Sequence, residues 1–195
     1  SLMEIKITLL PGDGIGPEVI AQAVKCLQAV EETFNHQFTY TTALIGAAAI
    51  YKTGDPLPDS TIELCKNSDA VLFGAIGAPE FDNNPDAKIR PEDGLFRLRN
   101  ELGVFANIRP VAVFPTLIKK SPLKEAVLRG TDFVIYRELT SGIYCGEKFL
   151  SPDGSYATDL SKYTESEISR ITHLAFKAAR KRRKKLTLID KSNVL

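Results

Sequence analysis

An apolar run from Glu4 to Leu10 breaks off at Pro11-Gly12 and gives way almost at once to a helical pattern opened by Pro17. No other part of the chain constrains the architecture as tightly. The run is rich in Ile and Leu and reads as a buried strand closed by a turn. Pro17 suits a first helical turn, because proline lacks only an amide that would be unpaired there anyway. Val19, Ile20, Ala23, Val24, Leu27 and Val30 then give the helix an apolar face as far as about Phe34. Phe38 to Ile45 reads as a second strand, Asp59 to Lys66 as a short helix capped by Asp59, and Ala70 to Ile76 as another strand. This β-α-β alternation makes the chain an α/β protein. Pro79 to Pro91 is polar and proline-bearing, long enough at a strand end to be a functional loop, and ligands of open α/β sheets gather at such ends.

The alternation continues beyond that loop. Leu95 to Leu102 reads as a helix, Phe105 to Phe114 and Phe133 to Leu139 as strands, with a helix starting at Ser121-Pro122 between them. Ser141 to Tyr163 is rich in Gly, Ser, Tyr and Asp without helical period and predicts a projecting β-hairpin or arm. Thr164 caps a long helix with Glu167 in the capping-box position. Ile168, Ile171, Leu174, Ala175 and Ala178 form its buried stripe, and Leu186 to Asp190 follows as a strand. The chain then reads as cut mid-domain, since an α/β sheet needs a further covering layer there. Ser1 and Leu2, ahead of the sole methionine Met3, read as a cloning remnant.

Charge and composition narrow the function classes. Lys plus Arg number 25 against 24 for Asp plus Glu, so net charge argues for neither a nucleic-acid nor a membrane partner, and a hydrophobic content of 44% supports a sizeable core. No apolar run approaches the roughly 20 residues that span a bilayer, and the cytoplasm is the expected location. Cys26, Cys65 and Cys145 are widely spaced without a C-x-x-C pair and read as reduced, packed thiols. His36 and His173 lack metal-ligand spacing, and the basic run Arg180 to Lys185 reads as solvated charge closing a helix.

Three features could carry chemistry. Gly12-Asp13-Gly14-Ile15-Gly16-Pro17-Glu18 lies where a dinucleotide phosphate loop would, but Pro17 occupies the third glycine position of that fingerprint and no acidic residue ends the second strand. An ordinary Rossmann domain is disfavoured, and tight turn and ligand loop both stay open. Arg99, Arg109 and Arg137 are the second feature. The last two lie on or beside strands flanked by apolar residues, where an unpaired guanidinium is costly. They read either as a two-point grip on a small di- or tricarboxylate or as partners in internal salt bridges, for instance with Glu101 or Glu138. Arg97 reads as surface charge. Third, Tyr144 sits among glycines, where a phenol near a cation can act as a general acid or simply pack. Lys191 follows the last predicted strand, either solvated or held as a base.

Taken together, Leu10-Pro11-Gly12-Asp13-Gly14-Ile15-Gly16-Pro17-Glu18, Gly94-Leu95-Phe96-Arg97-Leu98-Arg99, Phe105-Ala106-Asn107-Ile108-Arg109-Pro110, Arg137-Glu138-Leu139-Thr140-Ser141-Gly142-Ile143-Tyr144 and Asp190-Lys191-Ser192-Asn193-Val194-Leu195 resemble the β-decarboxylating dehydrogenases of hydroxy acids. This is the isocitrate/isopropylmalate dehydrogenase family, and the likeness is to its isopropylmalate branch from Met3 to Leu195. The resemblance implies the isopropylmalate dehydrogenase-like fold rather than a Rossmann fold, incomplete in this chain. Residues 1–104 would begin the first, cofactor-side domain, and 105–195 would be part of a second domain for dimerisation and substrate, with its arm at about 141–163.

It implies NAD- and Mg2+- or Mn2+-dependent oxidative decarboxylation of 3-isopropylmalate to 4-methyl-2-oxopentanoate, a step of leucine biosynthesis, in an obligate homodimer. Arg99, Arg109 and Arg137 would bind the substrate's carboxylates, and Tyr144 and Lys191 would handle protons, Lys191 reaching into the partner's site. Leu95 and Phe96 would meet the isopropyl group, an apolar pair unsuited to the third carboxylate of isocitrate. Ile15, Ala78, Pro79, Glu92 and Asn193 would border the cofactor. Phe96 stands where leucine is commoner, and Ser141 where glycine is. The metal-binding aspartates would lie beyond Leu195, so this polypeptide alone is expected to be inactive. The alternatives are an isocitrate, homoisocitrate or tartrate dehydrogenase of the same family, or a non-catalytic carboxylate-binding domain.

Overall fold

The computed structural model describes residues 3–82, 84 and 87–194, and the chain divides into two compact units, Ser1–Gly103 and Val104–Leu195. Parts of the 79–91 loop, at Asn83, Pro85 and Asp86, lie outside the described residues, as do Ser1, Leu2 and Leu195.

In the first unit the apolar run becomes β1 (Glu4–Gly12), the centre of a three-stranded parallel sheet between β2 (Gln37–Thr42) and β3 (Ala70–Ala75). A strand inside a parallel sheet is covered on both faces and so carries consecutive apolar side chains. Ile7, Leu9 and Leu10 are accordingly buried. On one face α1 (Gly16–Phe34) lays Ile20, Val24 and Leu27 against Ile7 and Leu9. On the other, Leu10 packs with Ile45, Leu57, Ile62 and Cys65 of α3 (Asp59–Lys66), and Leu98 of α5 (Pro91–Glu101). Thr8, also fully buried, satisfies its hydroxyl with Ser68 Oγ at 2.5 Å and Leu64 O at 3.3 Å.

Two expectations shift here. Asp59 lies inside its helix rather than at the cap, which the extended Pro58 occupies, and its carboxylate pairs with the Arg97 guanidinium at 2.8 Å. The second strand ends at Thr42, since Ile45 turns into the core and Gly46, at φ 75, opens an additional helix, α2 (Ala47–Thr53). The polar loop also begins with a single helical turn, α4 (Pro79–Asp82).

The second unit is built on an antiparallel pair, β4 (Ala106–Ala112) and β5 (Asp132–Glu138), with Asn107 opposite Arg137 and Arg109 opposite Ile135. Pro110 is tolerated because a two-stranded sheet has only edge strands. Between them the expected helix shrinks to α6 (Glu125–Leu128). Ser121, preceding proline, is held extended at ψ 145, and Gly130 at φ 80 closes the other end. The segment expected as an arm forms a hairpin of β6 (Lys148–Leu150) and β7 (Ala157–Asp159), every strand residue exposed. At its tip, hydrogen bonds from Ser151 and Ser155 hold the Asp153 carboxyl at about 2.

Thr164 caps α7 (Glu165–Arg180) in a reciprocal box with Glu167. The stripe of α7 is only half-buried, and Ile168 is 52% exposed. Leu186 to Asp190 is not a strand: Leu188 and Ile189 are over 80% exposed, and among the described residues no strand lies beside them to accept their backbone bonds. A β-rich sequence without a neighbour has nowhere to place its amides. Every fully buried hydrophobic side chain among the described residues belongs to the first unit, so the second leaves Phe133, Ile135 and Phe149 open.

Candidate functional site

Because β1 and β3 run parallel, the turns after Gly12 and Ala75 meet at the carboxyl edge of the sheet, the edge where open α/β folds place ligands. Gly12, at φ 70, brings the strands so close that a Cβ would lie 1.9 Å from Ala75 O. The next residue, Asp13, is 93% buried, and its carboxylate accepts from the amides of Ala47 and Ala48 at 2.8 Å and from Gly77 at 3.0 Å. A Cβ on Gly46 would fall 2.4 Å from that same carboxylate. Asp13 thus occupies the position an anion would take at the start of α2. The turn is also closed internally, with Gly16 N donating to Asp13 O at 2.8 Å. The glycine cluster is thus a tight turn, with Ile15 exposed on it.

Asp13 ties together the segments that carry the cofactor candidates of this unit. Ile15 stands 57% exposed just after it, Ala78 and Pro79 follow Gly77, and Glu92 Oε1 lies 3.0 Å from where a Cβ on Gly77 would be. The Tyr51 hydroxyl donates to Glu80, bracing α4 against α2; this bond raises the phenol's pKa. On α5, Leu95 is half-buried, Phe96 is exposed, and the Arg99 guanidinium carbon sits 5.9 Å from the Phe96 ring centre. Neighbouring Arg97 pairs with Asp55 and Asp59 across the surface.

In the second unit, strand register decides which side chains meet. Asn107 and Arg109 on β4 and Ile135 and Arg137 on β5 lie on one face, since alternate residues of a strand share a face and opposed residues of an antiparallel pair do too. Arg109 Nε donates to Asn107 Oδ1. The Arg137 guanidinium carbon lies 5.0 Å from the ring centre of Tyr144, which sits in a 3-10 turn, Gly142–Tyr144. Cation and phenol are thereby brought together.

For Arg109 and Arg137, the salt bridges named as the alternative do not form among the described residues. Glu101 is held by Lys66 at 2.6 Å and Glu138 by Arg170 at 3.1 Å. Among the described residues, Arg109 and Arg137 meet no carboxylate. Arg137 is half-buried as expected, whereas Arg109 is exposed. Lys191 and Asn193 lie in an exposed turn closed by Val194 N to Lys191 O at 3.0 Å. They form no hydrogen bond with Arg109, Arg137 or Tyr144. No group of three His, Cys, Asp or Glu among the described residues could hold a metal, and no helix among them is long and apolar enough to cross a membrane.

Sequence reasoning missed Asp13 and the Glu138–Arg170 pair. Asp13 had one local signal, an acidic residue between glycines at a strand-to-helix turn. Arg170 comes from α7, grips Glu138 and lies 4.6 Å over Phe105, bracing the end of β5 that carries Arg137. Burial pushes the Glu138 carboxyl up, but hydrogen bonds from Thr140 and Arg170 outweigh it and bring its pKa below the ordinary 4.5. A depressed carboxyl stabilises the fold above its unfolded pKa and loses that contribution as pH falls through the folded value. Glu138→Gln should therefore flatten the pH dependence of unfolding free energy below about pH 4.5. Urea titrations at pH 3 to 7 measure this, and an unchanged slope would contradict it.

Comparison with known proteins places the chain in one family. The family model described as isocitrate/isopropylmalate dehydrogenase matches residues 6–195. A 3-isopropylmalate dehydrogenase from Bacteroides fragilis is 53% identical over 99% of the chain, and one from Aquifex aeolicus 53% identical over 100%. The chain spans 54% of the length of each, about half of these curated relatives. Among solved structures, a β-decarboxylating dehydrogenase from Thermococcus kodakarensis in its apo form covers 98% of the chain at 30% identity with a TM-score of 0.69, the chain covering 50% of it. An isocitrate dehydrogenase from Methylococcus capsulatus covers 92% at 31% identity and 0.71, with 48% of that chain matched.

Proposed function

The chain belongs to the isocitrate/isopropylmalate dehydrogenase family, and from that membership we propose that it supplies the substrate-binding and proton-handling residues of an NAD-dependent 3-isopropylmalate dehydrogenase of leucine biosynthesis. The observation that carries this reading is the pair Arg109 and Arg137, on one face of β4–β5 and without a carboxylate among the described residues, beside the Tyr144 phenol. A guanidinium fork suits a carboxylate in two-point contact. Arg99 on α5 carries another such fork, and the apolar Leu95 and Phe96 on the same helix suit an isopropyl group and offer nothing to a third carboxylate. The 53% identity to relatives named for that substrate, against 31% to an isocitrate dehydrogenase, points the same way.

In this mechanism the substrate's hydroxyl loses its proton towards Lys191 as the carbon that bears it is oxidised to a ketone. NAD, when bound, supplies the oxidant, accepting that carbon's hydrogen with its electron pair. Ile15, Ala78, Pro79, Glu92 and Asn193 would border it; Ile15, Ala78 and Pro79 fit because Asp13 ties their turns together at the carboxyl edge of the sheet, and Glu92 because its carboxylate lies beside Gly77. The bond to the carboxylate β to the new ketone then breaks, carbon dioxide departs, and the electron pair moves onto the ketone oxygen. Tyr144, held against Arg137, donates its proton to the enol carbon. The described residues do not fit a divalent cation, and no step here is routed through one.

Homodimerisation accompanies this reading. The second unit leaves Phe133, Ile135, Phe149 and Leu150 exposed and has no fully buried hydrophobic residue among those described, as expected of a unit that other chain segments cover. A cytoplasmic location accompanies it too.

The deciding experiment is NAD reduction by the complete enzyme, meaning this chain continued to the length of its relatives, with 3-isopropylmalate or isocitrate, with and without Mg2+. Turnover of 3-isopropylmalate is expected, and the 195-residue polypeptide alone should give none. Preference for isocitrate would overturn the pocket assignment to Leu95 and Phe96, and turnover of neither would leave a carboxylate-binding module.

A further inference from the structure

The turn that carries Tyr144 is fastened to the base of the hairpin at several points. Lys148, the first residue of β6, donates from Nζ to the carbonyl oxygen of Ile143 at 3.1 Å and to Asp159 Oδ1, directly opposite on β7, at 2.7 Å. Ile143 O belongs to the peptide group that leads into Tyr144, so the ammonium grips the backbone next to the phenol's own Cα. On the other side of the turn, Gly142 N donates to Lys162 O at 2.8 Å, and Gly142 lies so near Tyr163 that a Cβ there would fall 2.4 Å from its hydroxyl. The Ile143 carbonyl is otherwise at the mercy of solvent, since Ile143 is 51% exposed.

We infer that Lys148 is a positioning residue for the proposed acid Tyr144, with Asp159 fixing the lysine, so that the hairpin base sets where the phenol sits over Arg137. The inference rests on the functional reading above. The geometry assigns Lys148 this work rather than a stabilising one. Its pair with Asp159 is more than half exposed, and an exposed ion pair adds little to stability, whereas a single hydrogen bond to the peptide before Tyr144 restricts the torsions that aim the ring. The lysine touches neither substrate nor cofactor in this scheme, so its loss should act on the rate of the chemical step and leave binding through the arginines intact.

The test uses the complete enzyme. Wild-type turnover of 3-isopropylmalate is measured first, because its absence would defeat the functional reading before the positioning claim is reached. Lys148→Met keeps the aliphatic stem and removes the donor. It should lower kcat about tenfold, short of the roughly 100-fold that an ångström of misplacement can cost, with KM within roughly twofold. Lys148→Arg, which can still bridge Asp159 and the carbonyl, should restore most of the rate. Sedimentation and circular dichroism run in parallel. An unchanged kcat, a KM that rises as kcat falls, failure of the arginine to rescue, or a loss of assembly or fold that accounts for the rate loss would each overturn the proposal.

Discussion

Tyr144→Phe in the complete enzyme is expected to lower kcat for 3-isopropylmalate by at least about 100-fold, within the range general acid catalysis contributes, while KM does not rise and the unfolding midpoint stays near wild type. The substitution removes one hydroxyl and nothing else. The ring would keep its place 5.0 Å from the Arg137 guanidinium carbon, because a cation over an aromatic face is held by the ring's quadrupole, which phenylalanine also has. Tyr144 is 44% exposed, so no core packing depends on it. Substrate would still be gripped by the arginines, and oxidation of the hydroxyl-bearing carbon does not need the phenol. What is lost is the proton donor for the enol carbon, so the ketone and enol stages should outlast the first.

A pre-steady-state experiment separates these stages: the variant should show NADH formation in a burst followed by slow turnover. If Tyr144→Phe kept wild-type kcat, the general-acid role would be wrong. A rise in KM with kcat unchanged would make Tyr144 part of the carboxylate grip instead.

Legibility in the sequence divides along a physical line between local and distant causes. β1 and α1 were legible because a run of apolar residues, a Pro-Gly break and a proline in the first helical turn act within a few residues of where they stand. The capping box of α7 is local in the same sense. Leu186 to Asp190 has strand composition, but a strand is completed by a neighbour's amides, which composition does not carry. The helix expected from Ser121 rested on Ser121-Pro122 as a start signal, but the residue before a proline is held extended, so only Glu125–Leu128 is helical before Gly130 turns the chain. In the site, Arg137 was legible because a charge between apolar residues requires a partner, and the structure turns this into a shared face with Arg109. The bond that organises the cofactor edge was hidden, because Asp13 finds its partners 34, 35 and 64 residues away and all three are backbone amides, which any residue type supplies.

That hidden bond leads to the largest stability effect expected in the molecule. Asp13→Ala should cost about 3–5 kcal/mol, a large share of the 5–15 kcal/mol by which a domain is ordinarily stable. The estimate follows from what is left behind. Three amides lose a charged acceptor; hydrogen bonds to charged groups are worth about 1.5–3 kcal/mol each, and a buried donor left unmade costs about 1–3. Water can reach part of the vacated space, since Ala48 and Gly77 are only half-buried, and this keeps the total below the sum of three full penalties. Ala47 is 1% exposed, and its amide has no such relief. Asp13→Asn should fall between, because an amide oxygen can still accept two of the bonds while its NH2 group faces the third donor. Urea unfolding of the 195-residue chain, followed by far-UV circular dichroism, checks both variants. The order wild type, Asn, Ala in midpoint is expected, and a shift below about 1 kcal/mol for Asp13→Ala would mean the three amides find other acceptors. In the complete enzyme, the Asn variant should also weaken NAD binding more than 3-isopropylmalate binding. Asp13 ties the turn before Ile15 to the Gly77–Pro79 segment, whereas Arg109, Arg137 and Tyr144 belong to the other unit, whose strand pairing does not involve it.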